Sequence, residues 1–136
     1  MITCGIEIDN NRAIIVCLEK YKDGTIEICE HSTKIVLDNH ENSNSVKEFN
    51  DLIHSQLDTI SPIKIGIVKR QIKGPYAAGG LSFKIESLIQ CYKGTKVVLV
   101  PLPTIKTYLK KNPRTINPKY KYQENGFNTA YYLMKK

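Results

Sequence analysis

The sequence has no apolar run approaching the roughly 18 residues that a membrane-spanning helix requires. It does not open on a basic region followed by a long apolar stretch, so no secretory leader is expected and the cytoplasm is the expected compartment. None of the cysteines, Cys4, Cys17, Cys29 and Cys91, forms a C-x-x-C pair, and no histidine stands at zinc-finger spacing from them. Three fall in strands and one in a helix, where small, reduced, buried hydrophobes are expected. His31, His40 and His54 are scattered, fit no Ser-His-Asp or Cys-His spacing, and are expected at surface or edge positions. There is no internal repeat, no low-complexity tail and no inner linker.

Acidic residues are scarce in one half only. Residues 1–61 hold 5 Lys+Arg against 11 Asp+Glu, whereas residues 62–136 hold 15 against 2, Glu86 and Glu124. The net charge of +7 is therefore the sum of an acidic first half and a strongly basic second half. Such a split suggests one basic face, and basic faces meet phosphates; the alternative is a solvated lysine surface. At 136 residues and 41% hydrophobic content, the chain is long enough for one domain with a real core.

Residues 2–9 and 13–20 are β-type apolar runs joined by Asn10-Asn11-Arg12, which suits a tight hairpin. Asp23-Gly24 is a second turn signal, and residues 25–37 read as a third strand of an antiparallel meander. Ser45 and Glu48 have capping-box spacing, and Val46, Phe49, Ile53, Leu57 and Ile60 continue as one helical stripe that Ser61-Pro62 stops. Ile63, Ile65, Ile67 and Val68 mark a fourth strand. Leu81, Ile85, Leu88, Ile89 and Tyr92 mark a helix with Gly94 as its expected cap. "VVLVPL" at 97–102 is a fifth strand, Pro103 opens a short helix through Leu109, and a last helix is expected at 122–135. Gly126 inside that helix costs about 1 kcal/mol relative to alanine. The expected architecture is α/β: a five-stranded mixed sheet, antiparallel at first and parallel later, with helices on both faces.

That element order, and several local stretches, resemble the ribonuclease H-like superfamily and its RuvC-type Holliday-junction resolvases. "CGIEID" resembles the resolvase first strand, with Glu7 at the acid position. "IGIVKR…KG…AGGLSFKIESLIQ" resembles the fourth strand and its helix, "VVLVPLPTIKTYLKKN" the fifth strand and the segment after it, and "YQENGFNTAYYL" the last helix. "SFKIE-x-LIQ" and "KKNP" are similar to a small bacterial family, domain of unknown function 3010. The resemblance implies that residues 1–136 are a single ribonuclease H-like domain. It also implies a nucleic-acid partner, in particular branched or structured DNA, and a possible homodimer.

The resemblance further implies a site in which three or four carboxylates hold two divalent cations, Mg2+ or Mn2+. Glu7 matches the first-strand acid. The fourth-strand acid falls at Val68 or Lys69, neither of them acidic, and the last-helix acid falls at Asn125, beside Glu124. Asp9 shares a strand face with Glu7 because side chains alternate. The candidate catalytic residues are therefore Glu7, Asp9, Glu124 and Asn125, and a single-metal set would be Glu7, Asp9 and Glu124. Against this stands Glu7 as a remnant with a structural role, countered by Lys69.

Gly74-x-x-x-x-Gly79 has P-loop spacing, but Gly80 and Leu81 stand where the lysine and the Ser/Thr belong, so nucleotide binding is not expected. Gly79-Gly80 lead into a helix N-terminus that favours anions, amid Lys69, Arg70, Lys73 and Lys84. Lys106, Lys110 and Lys111 share a helix face, and Arg114, Lys119, Lys121, Tyr120 and Tyr122 come after them. Charge for phosphates and rings for unstacked bases suit a nucleic-acid groove; tyrosines packed on the sheet are the rival reading. Three functions are compatible with these residues: a nucleic-acid binder with weakened or absent nuclease activity, an active metal-dependent endonuclease, or a protein-binding module of inhibitor or immunity type.

Overall fold

The computed structural model describes residues 1–69 and 79–135. In chain order the elements are β1 (Ile2–Asp9), β2 (Arg12–Lys20), β3 (Ile26–Ile28), β4 (Thr33–Val36), α1 (Ser43–Ile60), β5 (Lys64–Val68), α2 (Gly80–Gln90), β6 (Val97–Val100), α3 (Leu102–Lys111) and α4 (Glu124–Leu133). A short 3-10 turn, Lys121–Gln123, leads directly into α4. Among the described residues no helix is long and apolar enough to cross a membrane.

The strands form one mixed sheet in the order β3-β2-β1-β5-β6, with β4 also pairing β2. The β1–β2 hairpin is antiparallel and turns through Asn10, whose positive φ of 56° asparagine tolerates well. β5 and β6 run parallel to β1, each reached through a helix, as parallel neighbours require. The mixed sheet, its antiparallel start and its parallel finish are as the sequence predicts.

The stretch 25–37 departs from that reading, because it forms two short strands rather than one. Cys29 N–H donates to the Cys17 carbonyl, and Ser32 Oγ accepts from Cys17 N–H at 3.1 Å. The Cys29–Ser32 turn therefore replaces ladder bonds to β2, so the sheet counts six strands instead of five. Both short strands still flank β2, and the meander survives.

Helix ends also differ from the sequence reading. Asn42, not Ser45, caps α1: its Oδ1 accepts from Ser45 N–H at 3.0 Å, while Ser45 Oγ accepts from Asn39 N–H. Ser61 ends α1 in the left-handed region, as the Ser-Pro stop predicts. α2 stops at Gln90, and Gly94 does not cap it. Gly94 instead lies under the Tyr92 ring, where a Cβ would sit 2.4 Å from the phenol oxygen. Pro101 rather than Pro103 begins the next helix, and α3 runs on to Lys111 before Pro113.

The sheet buries a different helix layer on each side. Cys4, Ile6, Ile8, Ile15, Ile65 and Ile67 pack with Phe49, Ile53 and Leu57 of α1 and Ile85 and Ile89 of α2. On the other side Ile14, Val16 and Leu18 meet Phe127 and Ala130 of α4, and Val100 and Leu133 meet Ile105 of α3. Each fully buried Ile, Leu or Phe side chain contributes about 1.5–3 kcal/mol of transfer free energy. Cys4 and Cys17 are buried as expected and Cys29 half-buried. Cys91 is exposed, because α2 ends just before it.

Candidate functional site

Strand alternation places Thr3, Gly5 and Glu7 on the α4 side of β1, and α4 meets all three. Thr3 Oγ1 donates to the Ala130 carbonyl at 2.7 Å. At Gly5 the two backbones nearly touch, and a Cβ there would lie 1.9 Å from the Gly126 carbonyl oxygen. Glu7 Oε2 accepts from Asn125 Nδ2 at 2.7 Å. The crossing therefore brings the half-buried carboxylate of Glu7 to the N-terminal turn of α4, at the positive end of the helix dipole. Thr129 Oγ1 holds the Asn125 carbonyl from one turn further on, at 2.7 Å.

The remaining candidates lie around this pair but are engaged elsewhere. Asp9 shares the Glu7 face, yet its carboxylate pairs with Arg12 at 2.9 Å. Glu124 points to Arg114 at 3.7 Å. Arg114 in turn donates to Asn128 at 2.8 Å and lies over the Phe127 ring. β5 pairs Gly66 with Gly5 and Ile67 with Ile6, so one step further it sets buried Val68 beside Glu7. Lys69 is exposed, its backbone N–H bonded to the Val100 carbonyl, and no ion pair among the described residues joins it to Glu7. The side-chain partner of Glu7 is an uncharged amide, not the lysine that the sequence offered.

This donor set does not fit the implied metals. A hard divalent cation takes several oxygen ligands, carboxylates above all. Here one carboxylate bonds an amide, a second and a third face guanidinium groups, and the fourth-strand position is a valine. Among the described residues no three His, Cys, Asp or Glu side chains are grouped to hold a metal ion. The segment 70–78 contains none of those residue types in its sequence.

The basic residues divide between layers rather than forming one face. Lys84 lies on α2 in the α1 layer and donates to the His40 carbonyl. Lys106, Lys110 and Lys111 are exposed on α3 in the opposite layer, and exposed Lys119 and Lys121 lie on the way to α4. Arg70, Lys73 and most of the glycine-rich loop lie outside the described residues. Two further cations, Arg12 and Lys34, come from the acidic half: β4 pairs Lys34 with Ile14, which puts both on the α4 side, over the Tyr122 ring. No local sequence signal marked them, because the pairing of β2 with β4 brings them together. A cavity of about 620 Å³ lies between α1 and α2, lined by His54, Asp58, Leu88 and Tyr92. It opens on the other layer from Glu7.

Solved structures share this fold. Thermus thermophilus RuvC superposes with a TM-score of 0.70 at 11% identity, over 96% of this chain and 90% of that one. The same resolvase in complex with Holliday junction substrate gives 0.67 at 11% identity over the same shares. The fowlpox virus Holliday junction resolvase gives 0.58 at 16% identity, over 98% of this chain and 97% of that one. The fold class is ribonuclease H-like, the one these resolvases share. Within that class, residues 1–133 match the family described as "Protein of unknown function (DUF3010)", and the chain belongs to it. No curated protein matches the chain.

Proposed function

We propose that this protein binds nucleic acid, DNA foremost, with the α4 side of its sheet and has lost resolvase-type cleavage. The observation that carries the reading is the Glu7–Asn125 hydrogen bond: an amide occupies the place where the resemblance implies a second carboxylate. Val68 beside it is apolar, so Glu7 is the only carboxylate of this cluster not facing a guanidinium group. What survives of the resolvase plan is the scaffold and the positive charge. Lys106, Lys110, Lys111, Lys119 and Lys121 supply phosphate contacts without chemistry. The resolvases that share the fold act on or bind Holliday junctions, so a four-way junction is the first ligand to try.

The test is a titration of a four-way junction and a plain duplex at several salt concentrations, with and without a chelator. Binding that weakens with salt, ignores the chelator and leaves the DNA intact in Mg2+ and Mn2+ is expected. No binding to either DNA at low salt ends the proposal. Metal-dependent cleavage abolished by Glu7→Gln replaces it with the active endonuclease.

A further inference from the structure

We propose that Tyr120 and Tyr122 form a stacking platform for unpaired bases of a single-stranded nucleic acid, flanked by Arg12, Lys34 and Lys119 as its phosphate contacts. The inference rests on the nucleic-acid reading above and adds to it the strandedness of the ligand and the place where it docks.

The two rings lie nearly parallel, 7° apart with centroids 5.5 Å from each other. Both are exposed, Tyr120 at 48% and Tyr122 at 36%. The sequence left open whether they pack onto the sheet, and the structure places them outside the core. Their backbone is fixed: Gln123 is buried, its Oε1 accepts from Tyr120 N–H at 3.2 Å, and its own N–H donates to the Tyr120 carbonyl at 3.1 Å. A pair held this way loses little conformational freedom when a ligand arrives.

The charges around the rings come from three separate parts of the chain. Lys34 Nζ stands 4.8 Å from the Tyr122 centroid and Arg12 Cζ 5.8 Å from it, while Lys119 Nζ stands 5.4 Å from the Tyr120 centroid. Val36, exposed and paired with Arg12 across β2 and β4, adds an apolar neighbour on the same face. The rings face each other on one side and lie under these cations on the other, and the long lysine and arginine side chains can swing from the rings onto the phosphates of a base that takes their place. Bases inside a duplex are stacked on both faces, so a ligand that can use the platform along its length is a strand that has come apart. Arg12 pairs with Asp9, and Tyr122 lies three residues before Asn125, so the platform stands at the Glu7 end of the sheet.

Fluorescence anisotropy with oligo(dT), oligo(rU) and a blunt duplex tests this on the full chain. The Y120A/Y122A variant is expected to bind both single strands about tenfold or more weakly, with duplex affinity unchanged. The Y120F/Y122F variant is expected to bind oligo(dT) like the wild type. Circular dichroism checks that the variants fold. Oligo(dT) is also expected to quench part of the wild-type tyrosine emission, and this quench is expected to vanish in Y120F/Y122F, a readout that does not need the alanine variant. Equal single-strand affinity of wild type and Y120A/Y122A, or an unchanged quench in Y120F/Y122F, overturns the platform alone. Wild-type protein that binds no nucleic acid of any kind overturns both this inference and the reading beneath it.

Discussion

Glu7 and Asn125 are separated by 118 positions and joined by one hydrogen bond. Removing the donor with Asn125→Ala leaves a half-buried carboxylate without that partner, at an expected cost of about 1–2 kcal/mol in a denaturant melt. Asn125→Asp behaves differently. It sets two carboxylates within contact distance, which raises the pKa of the pair. The variant is then destabilised most at neutral and higher pH, by about 1–3 kcal/mol, and recovers as pH falls into the acid range and one of the two takes up a proton. Melts of both variants across that range check this: a flat profile for Asn125→Ala and an acid-recovering one for Asn125→Asp. At this scale the resemblance made the pair legible, since it lined up Glu7 with the first-strand acid and Asn125 with the last-helix acid. The partners of Asp9 and Glu124 were not legible, because Arg12 and Arg114 reach them through turn and loop geometry that no periodicity encodes.

Two contacts show how the elements hold one another. Where β1 crosses α4, a Cβ on Gly5 would meet backbone at 1.9 Å, whereas one on Gly126 finds its nearest neighbours at 3.2 Å. Gly5→Ala is therefore expected to cost about 3 kcal/mol or more, or to prevent folding. Gly126→Ala is expected to be nearly neutral, because about 1 kcal/mol of helix propensity offsets mild crowding. Thermal melts of the two variants read the difference. On the other layer, Tyr92, just past the end of α2, ties that end to α1 by donating to Asp58 at 2.8 Å. Burial of its ring and the Asp58 carboxylate push its phenol up to about 12 from 10.0. A raised value stabilises the protonated fold, so this contribution is complete below pH 10 and is lost as pH climbs through about 12. Tyr92→Phe is expected to cost about 1 kcal/mol at neutral pH and to flatten stability in that alkaline window, followed by denaturant melts. Long stripes and alternations announce the elements well. Their ends are legible only in part: Ser61-Pro62 marks the stop of α1, while the roles of Asn42 and Gly94 are set by the local geometry of Ser45 and of the Tyr92 ring, which periodicity does not encode.

Across the whole molecule, the charge split in the sequence does not map onto one face. Lys110 and Lys111 are exposed on the α4 side, whereas Lys84 donates to a carbonyl on the other layer. Lys110→Ala combined with Lys111→Ala is expected to weaken DNA binding about tenfold and to lower the salt slope by roughly 2, at about 0.9 per lost phosphate contact. Lys84→Ala is expected to leave both unchanged. Affinities over a salt series distinguish the variants, and an equal loss from Lys84→Ala would move the DNA to the other layer. The sign and size of the charge are legible in the residues themselves; the side of the sheet on which each helix packs decides where it goes.

The crossing of β1 with α4 also sets a timetable for the chain. β1 is the central strand and is made well before α4, yet the surface that covers Thr3, Gly5 and Glu7 belongs to that later helix. As the polypeptide leaves the ribosome, the hairpin and the α1–α2 layer have their partners early, while the opposite side of the sheet stays bare until residue 125 and beyond emerge. Closing so distant a contact is slow, and bare apolar strands in the interval invite association between nascent chains.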